Sequence, residues 1–412
     1  MNSQSDLIRP DVRSGKLCKK IVLLVSEDWF ALSHFRPLIR ALLDIAQSVI
    51  VVTRSSGRLS EIEALGARTV LFDFGRSANS PTAILRQSWQ LRRILRRENP
   101  DVVHMVAIKP IVLGGLALTG ITSSRLVLHV TGQGFAGISR TWKVRSLNFL
   151  IMRLLGRMLR SASSYLLVEN SEDLAVLRKH AADPGNRVSV LGGAGVDPQE
   201  FPAQLPPSNA VPVVAHVGRM IHSKGVDLLL QAYDRLRHQG VQVALDLYGS
   251  SDRDNPAVVA PDVIERWCKA SGARWHGHVT DVVSIWRQTD IFVLASRGGE
   301  GLPRSLLEAA ACARPLIVTA VPGNQDLVRD GIEGHVVPPN DVSALTSALA
   351  RLAGDRELRR RMGEAARRRL LSGYTEAHVG AAVISAYETM FRQRLPSILP
   401  CPWLMQADRP KV

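Results

Sequence analysis

Two carboxylates, Glu300 and Glu308, bracket a tight turn in the stretch GGEGLPRSLLEAA at positions 298–310. The apolar run DIFVLAS before it reads as a buried strand, and RSLLEAAACA after it reads as a helix with Glu308 one turn inside. Glycines in the loop let backbone amides approach a ligand closely. Amides at a helix start, together with the helix dipole, suit a diphosphate. A carboxylate on either side can then accept hydrogen bonds from the hydroxyls of a sugar and of a ribose. An ordinary helix with an acidic first turn is the plainer alternative. It accounts for one glutamate but not for the Gly-Gly-Glu-Gly-Leu-Pro run.

A second cluster lies upstream, in VVAHVGRMIHSKGVDLLLQAY. A strand runs into Gly218, and Arg219 and Lys224 occupy the turn before the next helix. Arginine offers a planar fork and lysine a point charge, so the pair makes an anion site at a strand end. On their own they are equally well read as solvated loop cations. The Asp-x-Asp of SDRD, residues 251–254, invites a divalent-cation reading, but GSSDRDNPAVV also reads as a turn before a helix. With two cations nearby that could serve an anion, the stretch is taken as structural, and no metal or cofactor is expected. Cys18, Cys268, Cys312 and Cys401 have neither metal-ligand spacing nor a disulfide framework, which fits a reducing cytosol.

The elements that must hold these groups are legible from periodicity. KIVLLVS, SVIVVT, ARTVLFDF, DVVHMV, RLVLHV and SSYLLVEN alternate with helical patterns in the first half. VVAHVG, VALDLYG, RWHGHV, DIFVLAS and PLIVTA do so in the second. This is the signature of βαβ units around parallel sheets. A proline-rich stretch, GVDPQEFPAQLPPSNAVP, separates the halves, and the 412-residue length suits two cores. The fold class is therefore α/β, with two doubly wound, Rossmann-like domains. A ligand belongs at the carboxyl ends of their strands, in the cleft between them.

At this point the chain resembles a retaining glycosyltransferase of family 4, with the GT-B fold, over nearly its whole length. EGLPRSLLE matches that family's E-x7-E motif, GRMIHSKGVDLLLQA its Gly-Arg…Lys-Gly motif, and VLGGAGVDPQEF its hinge signature. The resemblance implies that Gly218, Arg219 and Lys224 hold the donor diphosphate. It also implies that Glu300 meets the donor sugar, with Gly301, Leu302 and Pro303 beside it, and that Glu308 meets the ribose. Implied domains are a flexible N-terminus over 1–18, an acceptor-binding domain over 19–200, a linker over 201–211 and a nucleotide-sugar domain over 212–374. A helix over 375–394 packs back toward the first domain, and a tail follows over 395–412. In the acceptor half, Ser33, His34 and Arg36 replace the glycines of many members. With Lys109, Thr131 and Gly132 they resemble the branch that acts on lipid-linked glycans. Family members often carry a histidine where this chain has Thr131. His129, two positions earlier, is the candidate catalytic histidine, with a core role as its alternative.

The net charge of +15 calls for an acidic partner. RTWKVRSLNFLIMRLLGRMLRSA carries six basic residues and no acid between Arg140 and Arg160. On a helical wheel Leu147, Ile151, Leu154, Leu155 and Met158 share a core-like face. Lys143, Arg145, Arg153, Arg157 and Arg160 share the other with Trp142 and Phe149. Cations with aromatics among them fit an anionic membrane surface, and the Arg-rich LRQSWQLRRILRR adds to it. The Arg cluster over 359–369 reads as solvated surface. No stretch is long and apolar enough to span a bilayer, and the N-terminus does not read as a signal peptide. The expected function is transfer of a sugar, with retention, from a UDP-sugar to a polyprenyl-diphosphate-linked glycan. The expected location is the cytoplasm, peripheral on the inner face of the membrane. A soluble glycosyltransferase acting on a small metabolite is the rival. Nucleic-acid binding, suggested by charge alone, lacks an interleaved basic-aromatic motif and is set aside.

Overall fold

Runs of Val, Ile and Leu that are apolar on both faces form central strands, because parallel strands are covered on both sides. The computed structural model describes residues 15–75, 80–120, 123–132, 142–207, 209–251, 257–299 and 301–392. Its first sheet comprises β1 (Cys18–Glu27), β2 (Ala46–Arg54), β3 (Arg68–Leu71), β4 (Val102–Val106), β5 (Arg125–Val130), β6 (Ser164–Val168) and β7 (Val188–Val190). The second comprises β8 (Val213–Val217), β9 (Ala244–Tyr248), β10 (Arg274–Trp275), β11 (Ile291–Leu294), β12 (Leu316–Thr319) and β13 (Gly334–Val337). Strand orders are β3-β2-β1-β4-β5-β6-β7 and β10-β9-β8-β11-β12-β13, with parallel pairing throughout. Each order reverses beside its first strand, which opens a crevice at the carboxyl ends.

The first sheet is followed and crossed by α1 (Asp28–His34), α2 (Arg36–Ile45), α3 (Leu59–Ala64), α4 (Pro81–Glu98), α5 (Ile108–Ala117), α6 (Trp142–Leu159) and α7 (Ser171–His180). The second carries α8 (Val226–His238), α9 (Pro261–Ser271), α10 (Val282–Gln288), α11 (Arg304–Ala311), α12 (Asn324–Leu327), α13 (Val342–Gly354) and α14 (Arg356–Leu371), before a final α15 (Glu376–Arg392). Local signals set the ends. Ser80 caps α4 by accepting from Ala83 N, Pro81 opens it, and Asn99 closes it at φ 43°.

Alternation along the strands divides the first core in two. Ile21, Leu23, Val25, Val127 and Leu167 pack with residues of α2 and with Val379, Val383, Ala386, Tyr387 and Met390 of α15. The last helix of the chain thus completes a core begun by its first strand. On the other sheet face Val22, Leu24, Met105, Leu128 and Leu166 pack with Leu91 of α4, Ile111 of α5, and Leu155 and Met158 of α6.

Two expectations are corrected here. Leu147, assigned to the core side of α6, is exposed along with Phe149 and Leu150. The helix packs on the sheet through its second half, from Ile151 onward, and among the described residues nothing covers Leu147 on its first turns. The Arg cluster of α14 is also not simply solvated. Arg359 donates to Leu352 O and Ala353 O at 2.7 and 2.9 Å, and Arg367 donates to Phe201 O and Ala311 O. Guanidinium groups satisfy carbonyls left open at helix ends, so these side chains tie α14 to its neighbours.

Candidate active site

The carboxyl ends of β1, β2, β8 and β9 face a cavity of about 770 Å³ between the two domains. The first domain contributes Trp29, Ser33, His34, Ser56 and Arg58, and the second contributes Gly218, Arg219, Tyr248, Ser251, His278 and Val279, among others.

The turn bearing Arg219 and Lys224 is fixed by close backbone packing. Gly225 sits at φ +66°, and a Cβ there would lie 2.0 Å from Ala295 O. Gly249, at φ +137°, presses on Gly218 O, where a Cβ would come within 1.8 Å. Arg297 clamps the same turn. It pairs with Asp227 through two hydrogen bonds of 2.8 and 2.7 Å, and its Nη1 also donates to His222 O at 2.6 Å. The loop leading to α11 and the Lys224 turn are therefore joined through Arg297.

On the first-domain wall, the buried Asp28 carboxylate accepts from Trp29 N, Ser56 N, Ser56 Oγ and Arg58 N. These bonds hold its carboxyl below the usual value against the effect of burial. They fold the β2 loop inward and aim Trp29 and Arg58 at the cavity.

His34 stands where the domains meet. Its Nδ1 shares a 2.7 Å hydrogen bond with Ser33 Oγ. Enclosure, and then the charges of Arg304, Arg219 and Lys224, push the imidazole down to about 3. The ring is partly open to the cleft. A neutral imidazole adds no further positive charge beside these cations. Arg304 bridges the domains: it donates to Ser33 O, and its Nε donates to Glu308 Oε1 at 2.8 Å.

Glu308 is buried behind this pair and is not among the side chains that line the cavity. Burial pushes its carboxyl above the usual value, while Arg304 acts in the opposite sense. Glu300 lies outside the described residues, as do residues 252–254 of SDRD and the side chains of Trp142, Lys143 and Arg145. Among the described residues no group of three His, Cys, Asp or Glu is placed to hold a metal ion.

The remaining residues singled out by sequence divide. Gly301, Leu302 and Pro303 lead into α11, and Leu302 N donates to Glu169 Oε2 of the first domain at 3.2 Å. Thr131 O lies 2.9 Å from where a Cβ on Gly301 would sit, and Gly132 follows at φ +101°. Lys109, near the start of α5, donates to Gly75 O, and partial burial lowers its amine. Arg36 lies away from the cavity lining, near Glu61, whose carboxyl is held down first by Arg58 and also by Arg36.

His129 is only 2% exposed and lies on the α2 face of the sheet, edge-on to Phe35. Its Nδ1 is 3.4 Å from His104 Nε2, and His104 Nδ1 is 2.9 Å from Tyr387 OH. Burial pushes His129 down to about 3 and His104 well below its usual value. The sequence reading did not single out Trp29, Arg58, Tyr248, His278, Arg304 or Glu169. The strand-end rule locates the first four by position, whereas nothing local in sequence marks Arg304 or Glu169.

Residues 20–169 match the family described as glycosyl transferase 4-like, and residues 211–355 match glycosyl transferases group 1. Together the two matches take in most of both sheets. The chain is 24% identical over 373 residues to an N,N'-diacetylbacillosaminyl-diphospho-undecaprenol alpha-1,3-N-acetylgalactosaminyltransferase of Campylobacter jejuni, covering 87% of this chain and 96% of that one. It is 22% identical over 312 residues to the capsular polysaccharide biosynthesis glycosyltransferase CapM of Staphylococcus aureus, covering 73% and 80% respectively. In architecture it is similar to Anabaena HepE in complex with UDP-glucose, with a TM-score of 0.72, 16% identity, and coverage of 90% and 99%.

Proposed function

The chain belongs to the glycosyl transferases group 1 family, with a 4-like first domain and the GT-B fold, and from that premise we propose that it moves a sugar from a UDP-sugar to a polyprenyl-diphosphate-linked glycan, with retention. The observation that carries the donor half is the convergence of Arg219, Lys224 and Arg304 around neutral His34, at the carboxyl ends of both sheets. Cations around a neutral imidazole suit the charge that grows on a leaving diphosphate. Arg219 and Lys224 take the phosphates at the turn after Gly218. The loop through Glu300, Gly301, Leu302 and Pro303 takes the sugar side, and Glu308 takes the ribose once Arg304 turns to the donor. UDP as the nucleotide is supported by the likeness to HepE, whose structure holds UDP-glucose.

With retention, the acceptor hydroxyl attacks from the face the diphosphate leaves. The leaving phosphate oxygen takes the hydroxyl proton, and the cations hold the phosphate's charge. Ser33, His34, Lys109, Thr131 and Gly132 form the acceptor side. A lipid-linked acceptor is supported by the Campylobacter relative, whose name specifies an undecaprenyl-diphosphate substrate.

The surface fits a peripheral site on an anionic leaflet. Phe149 on α6 is 61% exposed and Trp89 on α4 is 54% exposed, on the face of the sheet those helices share with α5. Each ring carries a guanidinium, Arg153 over Phe149 at 5.7 Å and Arg93 over Trp89 at 3.6 Å. Aromatic rings beside cations bind at headgroup level. Among the described residues no helix is long and apolar enough to cross a membrane.

The test is a panel of UDP-sugars scored by thermal stabilisation, followed by turnover with the donor that stabilises most. Lys224→Ala and Arg219→Ala should each lower turnover roughly a hundredfold or more with the fold intact, since one charge-stabilising contact contributes about 3 kcal/mol to the barrier. Wild-type turnover in both variants rejects the assignment.

A further inference from the structure

The cavity between the domains extends well past the turn that takes the phosphates. In the second sheet β9 and β10 lie on one side of β8, and β11 lies on the other. A sugar nucleotide is a linear molecule: sugar, diphosphate, ribose, base. With its sugar at the loop after β11 and its phosphates at the turn after β8, its nucleoside runs toward the ends of β9 and β10. The wall there is apolar. Tyr248 and Ile285 are buried, Val217, Val279 and Val282 pack against them, and all five line the cavity.

The first domain faces the second in matching order. Beyond β5 and β6, Thr131 and Glu169 meet Gly301 and Leu302 of the sugar loop. β2 lies on the far side of β1 from those strands, so the loops after β1 and β2 oppose the nucleoside end. They bring Trp29, Ser56 and Arg58 to the same cavity. The buried Asp28 carboxylate ties the two loops together through Trp29 N, Ser56 N and Arg58 N. Glu61 holds the Arg58 guanidinium as a fork, with bonds of 2.6 and 2.8 Å.

We propose that Trp29 closes over the base of the donor nucleotide, opposite the wall around Val279, and that Arg58 donates to a carbonyl oxygen at the base's edge, roles that rest on the UDP-sugar reading above. A flat heterocycle fits between an aromatic ring and branched aliphatic side chains, and every base offers a π-face to such a ring. A guanidinium has donors only, which suits the carbonyl oxygens of uracil. Recognition of the nucleotide is then divided: the second domain takes the phosphates and one face of the base, and the first domain takes the other face. The acceptor approaches at the sugar end, away from Trp29.

UDP and inorganic pyrophosphate test this, because they share the diphosphate and differ by the nucleoside. Their Kd values are measured calorimetrically with wild type, Trp29→Ala, Trp29→Phe and Lys224→Ala. Base–aromatic stacking leads to an expected weakening of UDP binding by roughly five- to a hundredfold in Trp29→Ala. Pyrophosphate binding should be unchanged there, and Trp29→Phe should bind UDP nearly as wild type does. Arg58→Ala should narrow the preference for UDP over ADP; an unchanged preference removes Arg58 from the base. A second readout does not depend on Trp29→Ala folding: UDP should quench part of the wild-type tryptophan fluorescence, and that part should vanish in Trp29→Phe. Unchanged UDP affinity in Trp29→Ala, equal losses for both probes, or the same quench in Trp29→Phe overturns the proposal. If Lys224→Ala binds UDP like wild type, the donor-site reading itself fails. If Lys224→Ala binds both probes weakly while Trp29→Ala is normal, only the role of Trp29 fails.

Discussion

The buried pair His104 and His129 makes stability depend on pH in a way that can be calculated. Both rings are fully enclosed, and burial holds them neutral, His129 down to about 3 and His104 well below its usual value. Unfolded, each titrates near 6.5. Between about pH 3 and 6.5 the unfolded chain therefore binds more protons than the folded one. The stabilisation is complete above pH 6.5 and is lost as pH falls through that window. From pH 7.5 to 5.0 the His129 ring accounts for about 2 kcal/mol, and His104 acts in the same direction. Glu308 and Glu376, whose carboxyls burial raises, act in the opposite sense, so the comparison needs a variant in which they are unchanged. His129→Leu should lose about 2 kcal/mol less than wild type between the two pH values, measured by urea unfolding at constant salt. If unfolding resolves into two steps, the difference belongs to the step of the first domain. Equal losses in wild type and variant refute the reasoning. The same variant tests the catalytic alternative, since removing a proton carrier at the reacting carbon would cut transfer by roughly 10²–10⁴-fold.

Full activity is expected in excess chelator, and Asp252→Ala and Asp254→Ala should be active; loss in all three would revive a metal role for SDRD. Gly225→Ala should raise the donor KM and lower thermal stability, because its Cβ meets Ala295 O at 2.0 Å and φ is +66°; unchanged values would mean that the Lys224 turn is not held by this contact. Reversing Arg153 and Arg157 to Glu, with Trp89→Ser and Phe149→Ser, should abolish flotation with anionic vesicles while sparing sugar-nucleotide hydrolysis. Each basic residue contributes about 1 kcal/mol at such a surface, and wild-type binding should fall with salt. A folded variant that floats like wild type excludes this face.

The architecture was legible because periodicity reports burial directly. Runs such as KIVLLVS and DIFVLAS became central parallel strands, and the turn with Arg219 and Lys224 lies at a strand end as its Gly-rich setting implies. Pairings that depend on distant chain segments were not legible. Glu169 meets Leu302 across 133 positions, and Arg304 reaches Ser33 across 271. No local pattern encodes either. Leu147 was misassigned for a related reason: a helical wheel gives the face of a helix but not how far along its length a neighbour extends. The α14 arginines misled because charge suggests solvent, whereas carbonyls at helix ends also attract guanidinium groups.

The placement of α15 has a consequence for the order in which the molecule comes into being. Its apolar side fills the first domain's core, yet it follows the whole second domain in the chain. Glu376 N donates to Val196 O at 3.1 Å, so the outgoing and returning strands of the polypeptide lie side by side. During synthesis at about 5–20 residues per second, the first sheet emerges with this face covered by α2 but not yet by α15. The gap persists while roughly two hundred further residues are made. Nascent first domains therefore expose apolar surface to one another, and a ribosome stalled before Glu376 releases a chain whose opening half lacks part of its core.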